Sequence, residues 1–337
     1  MQMIQVGAGA WGQSWAGILA ASPHWELAAL VDPDETARDR VAEAAGVSVE
    51  RRFASLQEAA AGTDSDAALV AVPPSLHGPI ALEALGLGLH CLVEKPLATS
   101  VGEAQKVVQR ADEVGRTLMA SQNFRLDRGY RTVLDLVASG AVGPVETVSV
   151  KFRRAPLFVG FRLEMDEPLI VDMAVHHLDQ MRGLLRREPA SVRAHSFNPS
   201  WSPFRGNAAA TVEVVLTDGT VLNYEGTWVG KGPGTSWNGD WRLEGESGAI
   251  VWKDNVVQLF APDVSLDRRW RRHLEGRKAR VPLVELAEEG RAGVLAEFAA
   301  AIREGREPET SGRENLGTLE LVFSAVESAR SGQPVRL

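Results

Sequence analysis

The chain has 337 residues, of which 45% are hydrophobic and 24% charged, and its formal net charge is −8. This length exceeds what one hydrophobic core usually supports and predicts two domains. The negative charge argues against a nucleic-acid partner, and no apolar run reaches the roughly 20 residues that span a membrane. Because the N-terminus goes straight into a strand-like segment rather than an export signal, we expect a cytoplasmic protein.

One basic segment stands apart from this acidic composition. Residues 268–280 read RRWRRHLEGRKAR and carry seven basic side chains around Trp270. Binding to nucleic acid or to a membrane surface uses a wider basic footprint than one loop. We therefore expect a solvated insertion loop or a contact between subunits.

Short apolar runs alternate with helical patterns over the first 120 or so residues. In chain order these are MIQVG, helix 11–21, ELAALVD, helix 34–45, ALVAVP, helix 77–88, HCLVEKP, helix 100–114 and RTLMASQNF. Such alternation builds a parallel sheet with helices on both faces. It predicts an N-terminal Rossmann domain, a doubly wound α/β sheet, over residues 1–122.

From about residue 145 the sequence pattern changes to longer runs rich in Val and Thr. The pairs Asp218-Gly219 and Ser247-Gly248 lie between strand-like flanks, which is a hairpin signal. Residues 123–337 are therefore predicted to form an α+β domain with an antiparallel sheet. The domain boundary near 120–125 is placed by this change of sequence pattern alone.

Three helices accompany this sheet. One is opened by Pro168, and two close the chain at roughly 284–304 and 313–330. We expect the last helix to pack back toward the Rossmann domain.

A glycine motif follows the first strand directly. Gly7, Gly9 and Gly12 in VGAGAWG form a GxGxxG at the start of a helix, and Asp32 ends the second strand. The glycines permit a tight turn and a close approach to a pyrophosphate, which the helix N-terminus attracts. The Asp32 carboxylate would accept hydrogen bonds from the ribose hydroxyls and repel a 2′-phosphate, so the motif predicts NAD rather than NADP.

Other residues follow the strands at the same edge of the sheet, where ligands bind. Ala10 and Trp11 lie inside the glycine loop, and Trp11 either covers the cofactor or simply packs against it. Pro73 ends the strand-like run ALVAVP, where it lines the nicotinamide side or simply stops the strand. His77 lies in the first turn of the next helix, and we count all four residues as cofactor-binding candidates.

The strand-like run HCLV leads into Glu94-Lys95-Pro96 at this edge. Proline restricts the backbone on both sides of the Lys95–Pro96 bond, so the lysine is directed rather than free to wander. Glu94 and Lys95 are further cofactor-binding candidates. On its own, however, a single lysine is also compatible with an ordinary surface position.

The motifs VGAGAWG, AVPPSLH, LHCLVEKP and DMAVHHLD together resemble the Gfo/Idh/MocA family of dehydrogenases, and the resemblance extends over essentially the whole chain. It implies a Rossmann domain followed by a substrate domain with a large open antiparallel sheet. That sheet often forms the contact in a homodimer or homotetramer. The resemblance also implies that Lys95, Asp172 and His176 form a catalytic set.

The residue types suit an alcohol oxidation. His176 has an ordinary pKa of about 6.5 and is a natural base near neutral pH. Asp172 would orient its ring, and Lys95 would donate a hydrogen bond to the substrate oxygen. His177 points roughly 100° away along the helix and is either a packing residue or a substrate contact. Adjacent histidines do not readily converge on one ion, so we expect no metal.

In a regular helix, Asp172 and His176 are four residues apart and share one face. The opposite stripe is apolar and should face the core; it consists of Ile170, Ala174, Leu178, Met181 and Leu185. This separation predicts a polar face in a cleft. A simple ion pair on the helix surface remains the alternative.

Substrate contacts are predicted from two further segments. SQNFRL brings Asn123 and Arg125 to the cleft, and KFRR puts Arg153 on one face of a strand. Structural ion pairing is an equal alternative for both arginines. The segment MDEPLIVDMAVHH lacks the glycine-rich stretch common in the family. The family resemblance therefore does not identify the substrate.

Together with the glycine motif, the family resemblance implies an NAD-dependent dehydrogenase that acts on a CH–OH group of a sugar, cyclitol or related polyol. Two alternatives use the same fold. One is a non-catalytic NAD-dependent sensor, which the presence of Lys95, Asp172 and His176 argues against. The other is a glycosidase that uses NAD for a transient oxidation.

Overall fold

The computed structural model describes residues 1–261 and 277–337. They form two compact units: the first comprises Met1–Leu126 and Ala287–Leu319, and the second Asp127–Leu286 and Glu320–Leu337. Most of the basic segment 268–280 lies outside the described residues, so its role stays a prediction. Within the described ranges, no helix combines the length and apolar character needed to cross a membrane.

The first unit contains a six-stranded parallel sheet in the order β3-β2-β1-β4-β5-β6. Its strands are β1 (Gln2–Val6), β2 (Glu26–Val31), β3 (Arg52–Phe53), β4 (Ala67–Val70), β5 (His90–Val93) and β6 (Leu118–Ala120). Its first five helices are α1 (Ala10–Ala20), α2 (Glu35–Ala44), α3 (Leu56–Gly62), α4 (His77–Gly86) and α5 (Val101–Val114). All neighbouring strands pair in parallel, which confirms the Rossmann prediction.

Strands β4 and β5 are buried almost throughout, as expected for strands covered on both faces. A helix from late in the chain, α9 (Gly290–Glu304), packs against this unit. Trp25 stacks on Phe298 with ring centroids 5.4 Å apart, and its indole Nε1 donates to the Leu295 carbonyl oxygen at 2.9 Å. The order of strand and helix patterns along the chain does not predict that α9 belongs with the Rossmann sheet.

The second unit contains a nine-stranded sheet in the order β14-β13-β12-β11-β7-β10-β9-β8-β15. Its strands are β7 (Val145–Arg153), β8 (Pro189–Phe197), β9 (Ala209–Leu216), β10 (Val221–Thr227), β11 (Asp240–Gly245), β12 (Gly248–Lys253), β13 (Val256–Ala261), β14 (Arg277–Val281) and β15 (Val335–Arg336). Both predicted hairpins are present, between β9 and β10 and between β11 and β12. The sheet is antiparallel except for one parallel pair, β7 with β10.

Three helices of the second unit complete the α+β arrangement. They are α6 (Arg128–Ala138), α7 (Phe161–Glu164) and α8 (Val175–Leu185). A π-helical turn, Leu169–Ala174, leads directly into α8. The last helix, α10 (Gly312–Ser331), contributes residues to both units.

Candidate active site

The glycine loop is built by close backbone contacts. Gly7 has a φ of +109°, and a Cβ there would lie 2.3 Å from the Ala71 carbonyl oxygen. A Cβ at Gly12 would lie 2.1 Å from the Gly7 carbonyl oxygen. The buried Gln5 amide closes the loop, because its Nε2 donates to the carbonyl oxygens of Gly7 at 2.9 Å and Gly12 at 2.8 Å.

Gly9 is different, because a Cβ there would meet no atom within 4 Å. Gly9 also precedes α1, whose first turn contains no acidic residue. At the end of β2, Asp32 accepts the Ala8 amide at 2.7 Å through Oδ2 and the Asp34 amide at 2.9 Å through Oδ1. An open approach at Gly9, a helix N-terminus at Ala10 and a carboxylate at Asp32 fit the diphosphate and ribose of a dinucleotide.

Trp11, inside the loop, is 48% exposed. The Arg291 guanidinium lies over its ring, with Cζ 4.6 Å from the ring centroid. Arg291 thus covers one face of the Trp11 ring, and the contact of Trp11 with the cofactor stays a prediction.

Glu94, which opens the Lys95 turn, is buried. Its Oε1 accepts the Trp15 indole Nε1 at 2.7 Å and the Ser121 hydroxyl at 3.4 Å, and its Oε2 accepts the Lys95 amide at 3.0 Å. The carboxylate thus fixes the backbone that carries Lys95. Its contact with the cofactor stays a prediction.

His77 links this turn to the loop after β4. The buried imidazole places Nδ1 2.6 Å from the Pro96 carbonyl oxygen and Nε2 2.9 Å from the Val72 carbonyl oxygen. Burial lowers the pKa of His77, although both carbonyl groups favour its protonated form. His77 therefore links the backbone just before Pro73, at Val72, to the backbone of the Lys95-Pro96 turn. Its contact with the cofactor stays a prediction.

The helix that carries Asp172 and His176 departs from the regular α-helix predicted for it. Leu169–Ala174 form a π-helical turn, and α8 begins at Val175. Single π turns inside helices occur frequently at functional sites. Ile170, Ala174, Leu178 and Met181 are buried, as predicted, but so are His176, His177, Asp179 and Gln180. Polar and apolar residues of this helix are thus buried together, which argues against an ordinary surface pair, and the polar face in a cleft stays a prediction.

Asp172 forms an ion pair that the sequence did not predict. Arg162 Nε donates to Asp172 Oδ2 at 2.8 Å. The Arg162 guanidinium also lies over Phe158 and Phe161, 5.3 and 4.9 Å from their ring centroids. The only available signal was an arginine among aromatic residues in APLFVGFR, ten positions before Asp172.

His177 has the surroundings of a packing residue. Its ring lies 5.2 Å from that of Phe152 and 5.3 Å from that of Tyr224, and Nε2 is 3.1 Å from the Trp237 carbonyl oxygen. Complete burial lowers the pKa of His177 to about 4, so the ring is neutral at neutral pH.

Both predicted substrate arginines form ion pairs. Arg125 is buried next to Asn123 in a short 3₁₀ turn, and its Nη2 lies 3.2 Å from Glu314 Oε1. Arg153 Nη2 lies 2.6 Å from Glu225 Oε1. These contacts match the ion-pair alternative, and substrate contacts for the three residues stay predictions.

Lys95 belongs to the first unit, whereas Asp172 and His176 belong to the second. Their joint action therefore stays a proposal. Among the residues that the structure describes, no group of histidine, cysteine, aspartate and glutamate side chains could hold a metal ion.

Comparisons with known proteins identify the family. A model described as an oxidoreductase family with an NAD-binding Rossmann fold matches residues 1–122, and one described as the GFO/IDH/MocA C-terminal domain matches residues 130–251. The chain is 30% identical to an uncharacterized protein, y4oX, of Sinorhizobium fredii, over 100% of this chain and 95% of the relative. It is 26% identical to 1,5-anhydro-D-fructose reductase of Ensifer adhaerens, over 84% of this chain and 83% of the relative.

A solved structure has the same fold. It is an oxidoreductase from Agrobacterium radiobacter in complex with NAD+, L-tartaric acid and magnesium, with a TM-score of 0.87 at 22% identity. The match covers 100% of this chain and 98% of that one.

The parallel sheet, the glycine loop and these matches define an NAD-binding oxidoreductase. The chain belongs to the Gfo/Idh/MocA family, as its motifs predicted. The predictions of an enzyme and of NAD as cofactor are thereby confirmed.

Proposed function

We propose that the protein is an NAD-dependent dehydrogenase that acts on a CH–OH group of a sugar, cyclitol or related polyol. The observation that carries this proposal is the Arg162–Asp172 ion pair on the helix that also holds His176, in a chain with an intact dinucleotide loop. The name of the relative 1,5-anhydro-D-fructose reductase supports a sugar-like substrate.

Each proposed catalytic residue has a separate role. His176 removes the proton of the substrate hydroxyl group, and Asp172 stabilises the resulting imidazolium. Lys95 donates a hydrogen bond from Nζ to the same substrate oxygen, which favours the alkoxide in oxidation and polarises the carbonyl in reduction. The glycine loop and Asp32 would hold NAD+, which would supply the hydride acceptor for conversion of the CH–OH group to a carbonyl group, with the hydroxyl proton passing to His176.

Arg162 supports the charge on Asp172. The carboxylate is only 12% exposed, and a largely buried anion is costly without a nearby cation and hydrogen-bond donors. Arg162 supplies the positive charge and a donor, Nε. Its stacking on two aromatic rings limits the movement of the guanidinium.

The test combines a substrate panel with two variants. Purified protein is incubated with NAD+ and a panel of aldoses, inositols and polyols while NADH absorbance is followed. Lys95→Ala and His176→Ala are each expected to lower kcat/KM by roughly 10²–10⁴-fold, the usual contribution of an acid–base group. The NADH affinity of His176→Ala, measured by calorimetry, should remain within about twofold, roughly 0.4 kcal/mol.

The matched control is an exposed lysine of the first unit. Lys106 on α5 is exposed, so Lys106→Ala should leave both measurements unchanged. Wild-type rates in both active-site variants would reject the assigned roles. NADH binding without turnover on any substrate would favour a sensor, and NAD-dependent sugar cleavage without net NADH would favour a glycosidase.

We also propose a homodimer or homotetramer through the nine-stranded sheet. This proposal is supported by a depression of about 410 Å³ on the surface of β7 to β10, whose lining includes positively and negatively charged side chains. These include Lys151, Arg193, Glu213 and Glu225. Surfaces of mixed charge on an open sheet face can pair with a second copy related by twofold symmetry.

A further inference from the structure

Arg291 is a charged residue beside the glycine loop that the sequence analysis did not include. It lies in α9, within the first unit, far along the chain from VGAGAWG. Its Cζ lies 4.6 Å from the Trp11 ring centroid and 5.2 Å from the Trp15 ring centroid. Its Nη2 donates to the Ser14 hydroxyl at 2.7 Å. The guanidinium is therefore held along the first turns of α1.

The positive charge of Arg291 has no counter-ion in the described part of the chain. No carboxylate there forms an ion pair with it, and its Nη1 is buried without a hydrogen-bond partner. Burial lowers the pKa of Arg291, and the Glu94 carboxylate opposes this only from a distance. The Glu94 oxygens already accept the Trp15 indole and the Lys95 amide. The arrangement is costly for a protein without a bound anion.

The neighbouring helix end increases this cost. Trp11 lies in the first turn of α1, where the helix dipole is positive and a cation is unfavourable. The same turn contains no acidic side chain that would offset the charge. An anion at Gly9 would be attracted both by the first amides of α1 and by Arg291.

We infer that Arg291 binds the diphosphate of the dinucleotide at the Gly7–Gly12 loop. Trp11 and Trp15 hold the guanidinium so that little side-chain entropy is lost when the anion arrives. The Rossmann cofactor site thus includes a residue from α9. This inference rests on NAD binding by the first unit and is independent of the proposed substrate and of the roles of Lys95 and His176.

The test compares ligand affinity with the stability of the ligand-free protein. In full-length Arg291→Met, the dissociation constant for NADH, measured by calorimetry, should rise by roughly 10–100-fold, as expected for one lost charge-assisted contact. The affinity for adenosine, which has no phosphate, should be unchanged in a competition assay. The melting temperature without ligand should be equal to or higher than that of the wild type, because a half-buried cation without a counter-ion is removed.

Two further variants make the result decisive. Arg291→Lys keeps the charge and should lose less NADH affinity than Arg291→Met. Arg303→Met is the matched control, because Arg303 lies on the same helix but donates to the Ala299 carbonyl oxygen and contacts the His24 ring; its NADH affinity should equal that of the wild type.

Two outcomes would overturn the inference. One is wild-type NADH affinity in Arg291→Met. The other is a lower melting temperature together with equal losses for NADH and adenosine. That second pattern would show that Arg291 only packs the two tryptophans in place.

Discussion

His177 is a buried imidazole whose protonation opposes folding. Its ring lies among Phe152, Tyr224 and Trp241, and desolvation lowers its pKa to about 4, although two backbone carbonyl groups partly counteract this. In the unfolded chain the ordinary value of about 6.5 applies. Between these two values the unfolded state binds a proton that the native state does not.

The sign of the resulting pH dependence follows from proton linkage. The stability contributed by neutral His177 is complete above pH 6.5 and is lost as the pH falls toward 4, by up to about 3 kcal/mol. His177→Gln removes the titration, so its free energy of unfolding should decline less than that of the wild type between pH 6.5 and 4.5. Urea unfolding at several pH values measures this difference.

Tyr224→Phe provides the control for this experiment. Tyr224 packs against the His177 ring, and burial raises its pKa, so its replacement should leave the pH dependence of the wild type between pH 6.5 and 4.5 unchanged. Equal declines in the wild type and His177→Gln would contradict the assignment.

Single residues also show where prediction from sequence ends. The loop glycines and Asp32 were predicted because their roles follow from neighbours in the chain and from strand ends. The ion pairs of Arg125 and Arg162 and the position of Arg291 depend on segments brought together by folding. Local patterns therefore gave no basis for choosing between a paired arginine and a substrate contact.

At the scale of elements, Gly9 and Gly12 separate stability from cofactor binding. Gly12→Ala would place a Cβ 2.1 Å from the Gly7 carbonyl oxygen, so the loop must shift. We expect its free energy of unfolding to fall by more than about 2 kcal/mol, together with loss of NADH binding. Gly9→Ala meets no protein atom within 4 Å and should leave the stability of the ligand-free protein within about 0.5 kcal/mol.

The Gly9→Ala variant should nevertheless bind NADH at least tenfold more weakly, about 1.4 kcal/mol, because its methyl group occupies space needed by the diphosphate. Thermal unfolding and calorimetry on both variants provide the measurements. Unaltered NADH affinity in Gly9→Ala would mean that the cofactor does not approach the loop at this position.

Helix ends were predicted closely where caps are local. The predicted helices 34–45 and 100–114 correspond to Glu35–Ala44 and Val101–Val114, each preceded by an N-cap side chain that accepts a backbone amide. Helices α3 and α6 were not predicted. The π-helical turn at Leu169–Ala174 was also missed, because one extra residue in a helical turn barely alters the hydrophobic pattern.

At the scale of the whole molecule, the first unit is assembled from two distant segments. The alternation of strand and helix patterns stops near residue 122, which marks where the parallel strands end. It does not reveal that residues 287–319 return to the same unit, since α9 resembles any amphipathic helix. That return is encoded in tertiary packing: Val294, Leu295 and Phe298 are buried in one cluster with Trp15 and Trp25.

This packing predicts that residues 1–126 do not form a stable domain alone. Loss of one buried phenylalanine costs about 3–5 kcal/mol, and a whole domain is stabilised by only about 5–15 kcal/mol. Without α9, the fragment should therefore show no cooperative thermal transition and no NADH binding. A chain that joins 1–126 to 287–319 through a flexible Gly/Ser linker should recover both, and the same joined chain with Phe298→Ala should melt at a lower temperature. Cooperative unfolding and NADH binding by 1–126 alone would instead show that the parallel sheet and its first five helices hold the cofactor without α9.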